Sequence, residues 1–109
     1  MNRIEQTQEL RAAVADGASV VLFHSTWCPF CRTFRPIFQG ATQHSPLEPI
    51  EVVIDDEASP LWTEYSIEIV PTVLFFDKGR VVHRLDGRPG MGIHKAALLA
   101  SLARPLEPR

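Results

Sequence analysis

Ser19-Val20-Val21-Leu22-Phe23-His24, followed after two residues by Trp27-Cys28-Pro29-Phe30-Cys31, is the stretch whose reading decides the fold. Its first half is a nearly continuous apolar run rich in β-branched residues, the pattern of a central strand covered on both faces. Its second half opens a helix that runs from Cys28 to about Gln43, with Phe34, Ile37 and Phe38 on an apolar face. Pro36 lies inside this helix and is expected to kink it, because it removes one backbone donor and crowds the preceding turn. A strand leading into a helix places Cys28 at the helix N-terminus, where free N–H groups and the helix dipole favour an anion. The thiolate is the nucleophile of thiol chemistry, so this placement activates Cys28. Pro29 suits a first turn that needs no donor. Cys31, one turn further in, is expected behind Cys28 and less exposed. From there it can attack a mixed disulfide on Cys28 and release a reduced partner.

Working outward, residues 7–16 read as a helix, with Thr7 as N-cap, Leu10 and Val14 on one face and Gly17 past the end. Ile50 to Ile54 is a second strand, and a short helix around 59–65 accepts Pro60 in its first turn. Thr72 to Phe76 and Arg80 to Leu85 form an antiparallel hairpin across Asp77-Lys78-Gly79. Residues 91–103 read as the last helix, with Ile93, Ala97, Leu98 and Leu102 facing the sheet. Pro105 and Pro108 end it and leave a loose tail from about residue 104. Only Met1 to Gln6 precede the first helix, so the sheet is expected to have four strands, or five with a very short edge strand. This alternation predicts an α/β fold: a mostly parallel sheet with helices on both faces, closed by one antiparallel hairpin. No repeat, linker or low-complexity tract divides the 109 residues, so residues 1–109 read as a single domain.

A net charge of −2 offers no footprint for nucleic acid or an anionic membrane. No apolar run approaches the ~18 residues of a membrane span. The polar beginning speaks against a secretory signal and for the cytoplasm. The partners expected on this charge are proteins or small thiols, with the chain itself a monomer. Two cysteines are the whole supply. Bridging them closes almost no loop and stabilises little, so chemistry is their better use. Two other uses of the pair stay open. Half of a zinc site would need two further ligands, for which His24 or His44 are candidates at a spacing that matches no common finger. An inert buried pair is the other. His24 is expected to be partly buried and neutral, and His44, His83 and His94 to lie at the surface. Asp55-Asp56-Glu57 reads as a solvated acidic loop rather than a cation site.

Trp27-Cys28-Pro29-Phe30-Cys31, Pro36, Val70-Pro71-Thr72 and Gly87 together make the chain resemble the thioredoxin family over nearly its whole length. The resemblance implies a thioredoxin fold and a thiol–disulfide oxidoreductase that reduces protein disulfides. It needs no bound cofactor beyond the redox-active disulfide Cys28–Cys31, and draws electrons from a reductase or a small thiol. It implies a cis bond before Pro71, opposite the cysteines, that exposes the backbone of Val70 to an extended substrate. It also implies a substrate groove from Trp27, Pro29, Phe30, Ile54, Val70, Pro71, Gly87 and Arg88. Three departures from the family pattern matter. Pro29-Phe30 replaces the usual Gly-Pro and approaches glutaredoxins and some disulfide oxidants, which predicts a less reducing pair. Asp86 and Arg88 flank Gly87 where small or apolar residues are usual, a charged rim that changes partner choice. Leu22 takes the place of the family's buried aspartate, and Glu51 that of a nearby lysine. Glu51 is therefore a candidate catalytic residue: buried beneath the sulfurs, with a raised pKa, it would accept the proton of Cys31; an exposed strand glutamate with no such role is the other reading of the position. A glutathione-dependent, glutaredoxin-like reductase and a non-catalytic protein-binding module are the alternative functions.

Overall fold

The computed structural model describes residues 2–104. The chain runs β1 (Asn2–Ile4), α1 (Thr7–Val14), β2 (Ala18–His24), α2 (Pro29–Thr42), β3 (Glu48–Val53), α3 (Pro60–Glu64), β4 (Thr72–Asp77), β5 (Arg80–Asp86) and α4 (Lys95–Leu102). The five strands form one sheet in the order β1-β3-β2-β4-β5. β1 and β2 pair parallel with β3, while β4 runs antiparallel to β2 and β5 antiparallel to β4. The short edge strand allowed for by the sequence is thus β1. The tail expected beyond residue 104 lies outside the described residues.

Alternation along the central strands builds two cores, one per face. Val21 and Phe23 join Leu10, Val14, Ile50, Val52, Leu61 and both cysteines on one side. Val20 and Leu22 join Phe34, Phe38, Val73, Phe75 and Leu98 on the other. α1 and α3 therefore cover one face, and α2 and α4 the other. Because both faces of β2 are covered, every residue from Ser19 to His24 is buried.

Several expectations need correction. Thr7 is the first helical residue of α1 rather than its cap; Gln6 holds the cap position without a side-chain bond, and α1 stops at Val14. The last helix starts at Lys95, not at 91. Residues 88–92 instead close a tight turn, in which Arg88 N–H donates to the Gly92 carbonyl at 3.0 Å and Gly92 N–H returns to the Arg88 carbonyl at 2.9 Å. Gly90 and Gly92 have φ of +72° and +68°, which no α-helix accommodates. In α4 Leu98 is buried, whereas Ala97 is exposed. His83 is not a free surface group: it packs on Phe75 and lies 3.1 Å from the Ser101 hydroxyl.

Candidate active site

Cys28 is the N-cap of α2, with extended backbone, and Pro29 occupies the first turn. From this position the Cys31 N–H donates to the Cys28 Sγ at 3.2 Å. The Cys28 thiol in turn donates to the carbonyl oxygen of Val70 at 3.5 Å. The Val70–Pro71 bond is cis. The nucleophilic sulfur is therefore held between a helix N-terminus and the main chain that precedes Pro71. Both cysteines are free thiols. Cys31 is the deeper, at 1% exposure against 5% for Cys28. Its thiol is pushed up to about 12, chiefly by burial and next by its hydrogen bond with Cys28, while the Ser25 amide and hydroxyl pull the other way.

The residues expected to form a groove separate into two sets. Trp27 is 51% and Phe30 42% exposed, and Pro29 and Arg88 are also exposed. Val70, Pro71 and Gly87 are buried, with the Val70 carbonyl at the Cys28 sulfur and Gly87 against Pro71. Ile54 is packed into the core beneath the cysteines and offers a partner no surface, which corrects its assignment as a contact residue. Gly87 is required by close approach: a Cβ there would stand 2.3 Å from the Pro71 carbonyl oxygen. Beyond it, an open cleft of about 560 Å³ is lined by Ser66, Glu68, Ile69, Arg84, Asp86 and Pro89. Asp86 is not a free rim charge, because Arg84 Nε and Nη2 donate to its two oxygens at 2.9 and 2.8 Å.

Glu51 is buried, which settles against an exposed strand glutamate, but its environment reverses the titration expected of a proton acceptor. It lies beside Leu22 in the β2–β3 register. Arg35 Nε donates to its Oε1 at 2.7 Å and Gln39 Nε2 to its Oε2 at 3.2 Å. Burial pushes the Glu51 carboxyl up, yet these bonds and the positive charge of Arg35 outweigh it and hold the group below its ordinary value. A carboxylate so held is ionised and committed to α2, not poised to take a proton. His24 Nε2 approaches Glu51 Oε1 to 3.0 Å without hydrogen-bond alignment, and both ring nitrogens lack a hydrogen-bond partner among the described residues. Burial holds His24 below its ordinary value despite the carboxylate, so it is neutral.

Sequence alone leaves Ser25, Arg35 and Gln39 unmarked and takes Asp55 for part of a solvated acidic loop, whereas it is engaged by the loop before Cys28. Asp55 accepts from Thr26 N–H and Thr26 Oγ1, each at 2.7 Å, and its carbonyl accepts from Trp27 Nε1 at 3.1 Å. It thereby secures the loop before Cys28. An acidic residue just past one strand, beside a threonine just past its neighbour, is the signal that would have found it. Among the described residues no three His, Cys, Asp or Glu side chains come together to hold a metal, and no helix is long and apolar enough to cross a membrane.

The chain is similar to known proteins in sequence and in fold. The Thioredoxin family model matches residues 3–102. Thioredoxin of Mycoplasmoides gallisepticum is 31% identical over 88 residues, covering 80% of this chain and 88% of that protein. Human thioredoxin is 33% identical over 81 residues, covering 73% and 76%. The crystal structure of Chlamydomonas reinhardtii thioredoxin f2 superposes with a TM-score of 0.80 at 17% identity over 94% of this chain and 93% of that one, which shows the common fold. With a helix-capping cysteine, a second cysteine one turn inside and a cis-proline facing them, the chain belongs to the thioredoxin family of thiol–disulfide oxidoreductases.

Proposed function

We propose that this oxidoreductase works as a reductase of disulfides in other proteins. Cys28 attacks a substrate disulfide, releasing one substrate thiol and leaving a mixed disulfide. Cys31 then attacks Cys28, the second substrate thiol departs, and the Cys28–Cys31 disulfide remains to be reduced by a reductase or a small thiol. The observation that carries this reading is the seat of Cys28, between the Cys31 amide and the Val70 carbonyl. A partner disulfide arriving beside Val70 and Pro71 meets the sulfur, while the exposed Trp27, Pro29 and Phe30 supply apolar contact around it. Gly87 gives the Pro71 carbonyl its room, and Arg88 borders the approach. The protein works as a monomeric single domain in the cytoplasm, where dithiols are kept reduced.

Reduction of insulin by a small dithiol, followed by turbidity, tests this. Cys28→Ser and Cys31→Ser should each lose catalysed turnover. Full activity in both would refute the mechanism. Pro29-Phe30 favours a second reading, reduction by glutathione; recharging of the oxidised protein by glutathione but not by a thioredoxin reductase would establish it.

A further inference from the structure

Ser25 lies between the end of β2 and α2, and is 1% exposed. Its hydroxyl has no hydrogen-bond partner among the described residues. A buried hydroxyl left unpaired carries a desolvation cost and is uncommon in native structures. The Ser25 carbonyl is already engaged with the redox helix, accepting from Cys28 N–H at 3.5 Å. Its amide and its hydroxyl both pull the Cys31 thiol down against the effect of burial, although no hydrogen bond engages the hydroxyl in the resting protein among the described residues.

Once in each cycle Cys31 must become an anion, in a place where burial and Cys28 oppose that. A negative sulfur there needs donors. Leu22 provides none, and Glu51 is engaged with Arg35 and Gln39. We propose that the Ser25 hydroxyl, with the Ser25 amide beside it, is the donor pair that holds the Cys31 thiolate while it resolves the mixed disulfide. This is a catalytic role and rests on the exchange mechanism above. In the step, Cys31 gives up its proton and its sulfur attacks the Cys28 sulfur. The Cys28–Cys31 bond forms as the bond from Cys28 to the substrate sulfur breaks. The departing sulfur takes the electron pair and a proton, so the cysteine pair is oxidised and the substrate reduced. Ser25 stays protonated throughout. Of the groups around Cys31, Cys28 is the titratable one that acts on it directly. His24 on β2 is neutral, Arg35 on α2 faces Glu51, and Asp55 beyond β3 is taken by Thr26.

The test uses the reduced full chain in excess over dithiobis(nitrobenzoate), whose aromatic thiolate is coloured, with release followed by stopped flow from neutral to alkaline pH. A first phase reports attack by Cys28 and a second reports resolution by Cys31. Ser25→Ala should leave the first phase unchanged and slow the second about tenfold, the loss of one hydrogen bond to a charged group, with its pH dependence moved upward. Ser25→Thr, which keeps the hydroxyl, should restore the second phase. A second phase in Ser25→Ala with unaltered rate and pH dependence overturns the proposal, as does equal slowing of both phases. If the unaltered protein shows no first phase, the exchange mechanism itself fails.

Discussion

Arg35 Nε donates to Glu51 Oε1 at 2.7 Å, joining the redox helix to the strand behind it. Glu51 is buried and Arg35 is 39% exposed, so solvent weakens this pair only from one side. Glu51→Gln removes the charge and one of the two acceptor oxygens, so that an amide NH2 meets the Arg35 or Gln39 donor. The expected cost is about 1–2 kcal/mol of stability, read as a lower urea midpoint, with the resolving rate unchanged. Several-fold slower resolution at unchanged stability would return Glu51 to the role of proton acceptor.

Acid should weaken the fold in two steps of the same sign. His24 is held below its ordinary value of about 6.5, so between its folded value and that pH the unfolded chain binds more protons. Stability therefore rises with pH through this window. His83, lowered by burial, adds the same sign. Glu51 is held below its ordinary carboxyl range, so its contribution is present above that range and lost as pH falls through the folded value. Urea midpoints should fall on acidification from pH ~7.5, and His24→Gln should flatten the upper part of the slope without removing the lower part. A midpoint that rises on acidification contradicts the buried neutral His24.

Gly87 leaves no space for a side chain against Pro71. A methyl group 2.3 Å from a backbone oxygen must displace main chain, not a flexible side chain. Gly87→Ala should cost about 1–3 kcal/mol and lower reduction of a protein disulfide more than reaction with a small aromatic disulfide. Equal loss with both substrates would place the damage in the fold alone.

The order of strands and helices was legible because each central strand is a short apolar run and each helix carries a periodic face. Cys28 and Cys31 were legible because spacing and strand-to-helix context coincide in one segment. What escaped depends on contacts between distant segments. The stretch from Met91 reads as helix by composition, but Gly92 packs against Phe30, whose Cβ would stand 3.3 Å from a Cβ at 92, and a turn results. The strand position of Glu51 left a buried and an exposed carboxylate both open, and its ionisation was hidden because Arg35 and Gln39 reach it from another element. Ser25 belongs to no periodic pattern, and only its burial beside Cys31 singles it out.

Between the cysteines, Pro29 opens the helix and Phe30 lies partly exposed against Gly92. Family members span roughly −270 to −120 mV, and the intervening dipeptide contributes to that range. Equilibration with glutathione or dithiothreitol buffers should give a potential above about −270 mV, less reducing than an ordinary thioredoxin. Changing Pro29-Phe30 to Gly-Pro should lower it. A value at or below that of ordinary thioredoxin contradicts the expectation.

Division of labour between the two sulfurs is tested most directly by trapping. Incubated with a disulfide-bonded protein such as insulin, Cys31→Ser should accumulate a covalent adduct through Cys28, visible by intact mass and released by dithiothreitol. Cys28→Ser should form none. Equal adducts on both variants, or none on Cys31→Ser, would contradict a nucleophile at the helix terminus resolved by a second sulfur one turn within.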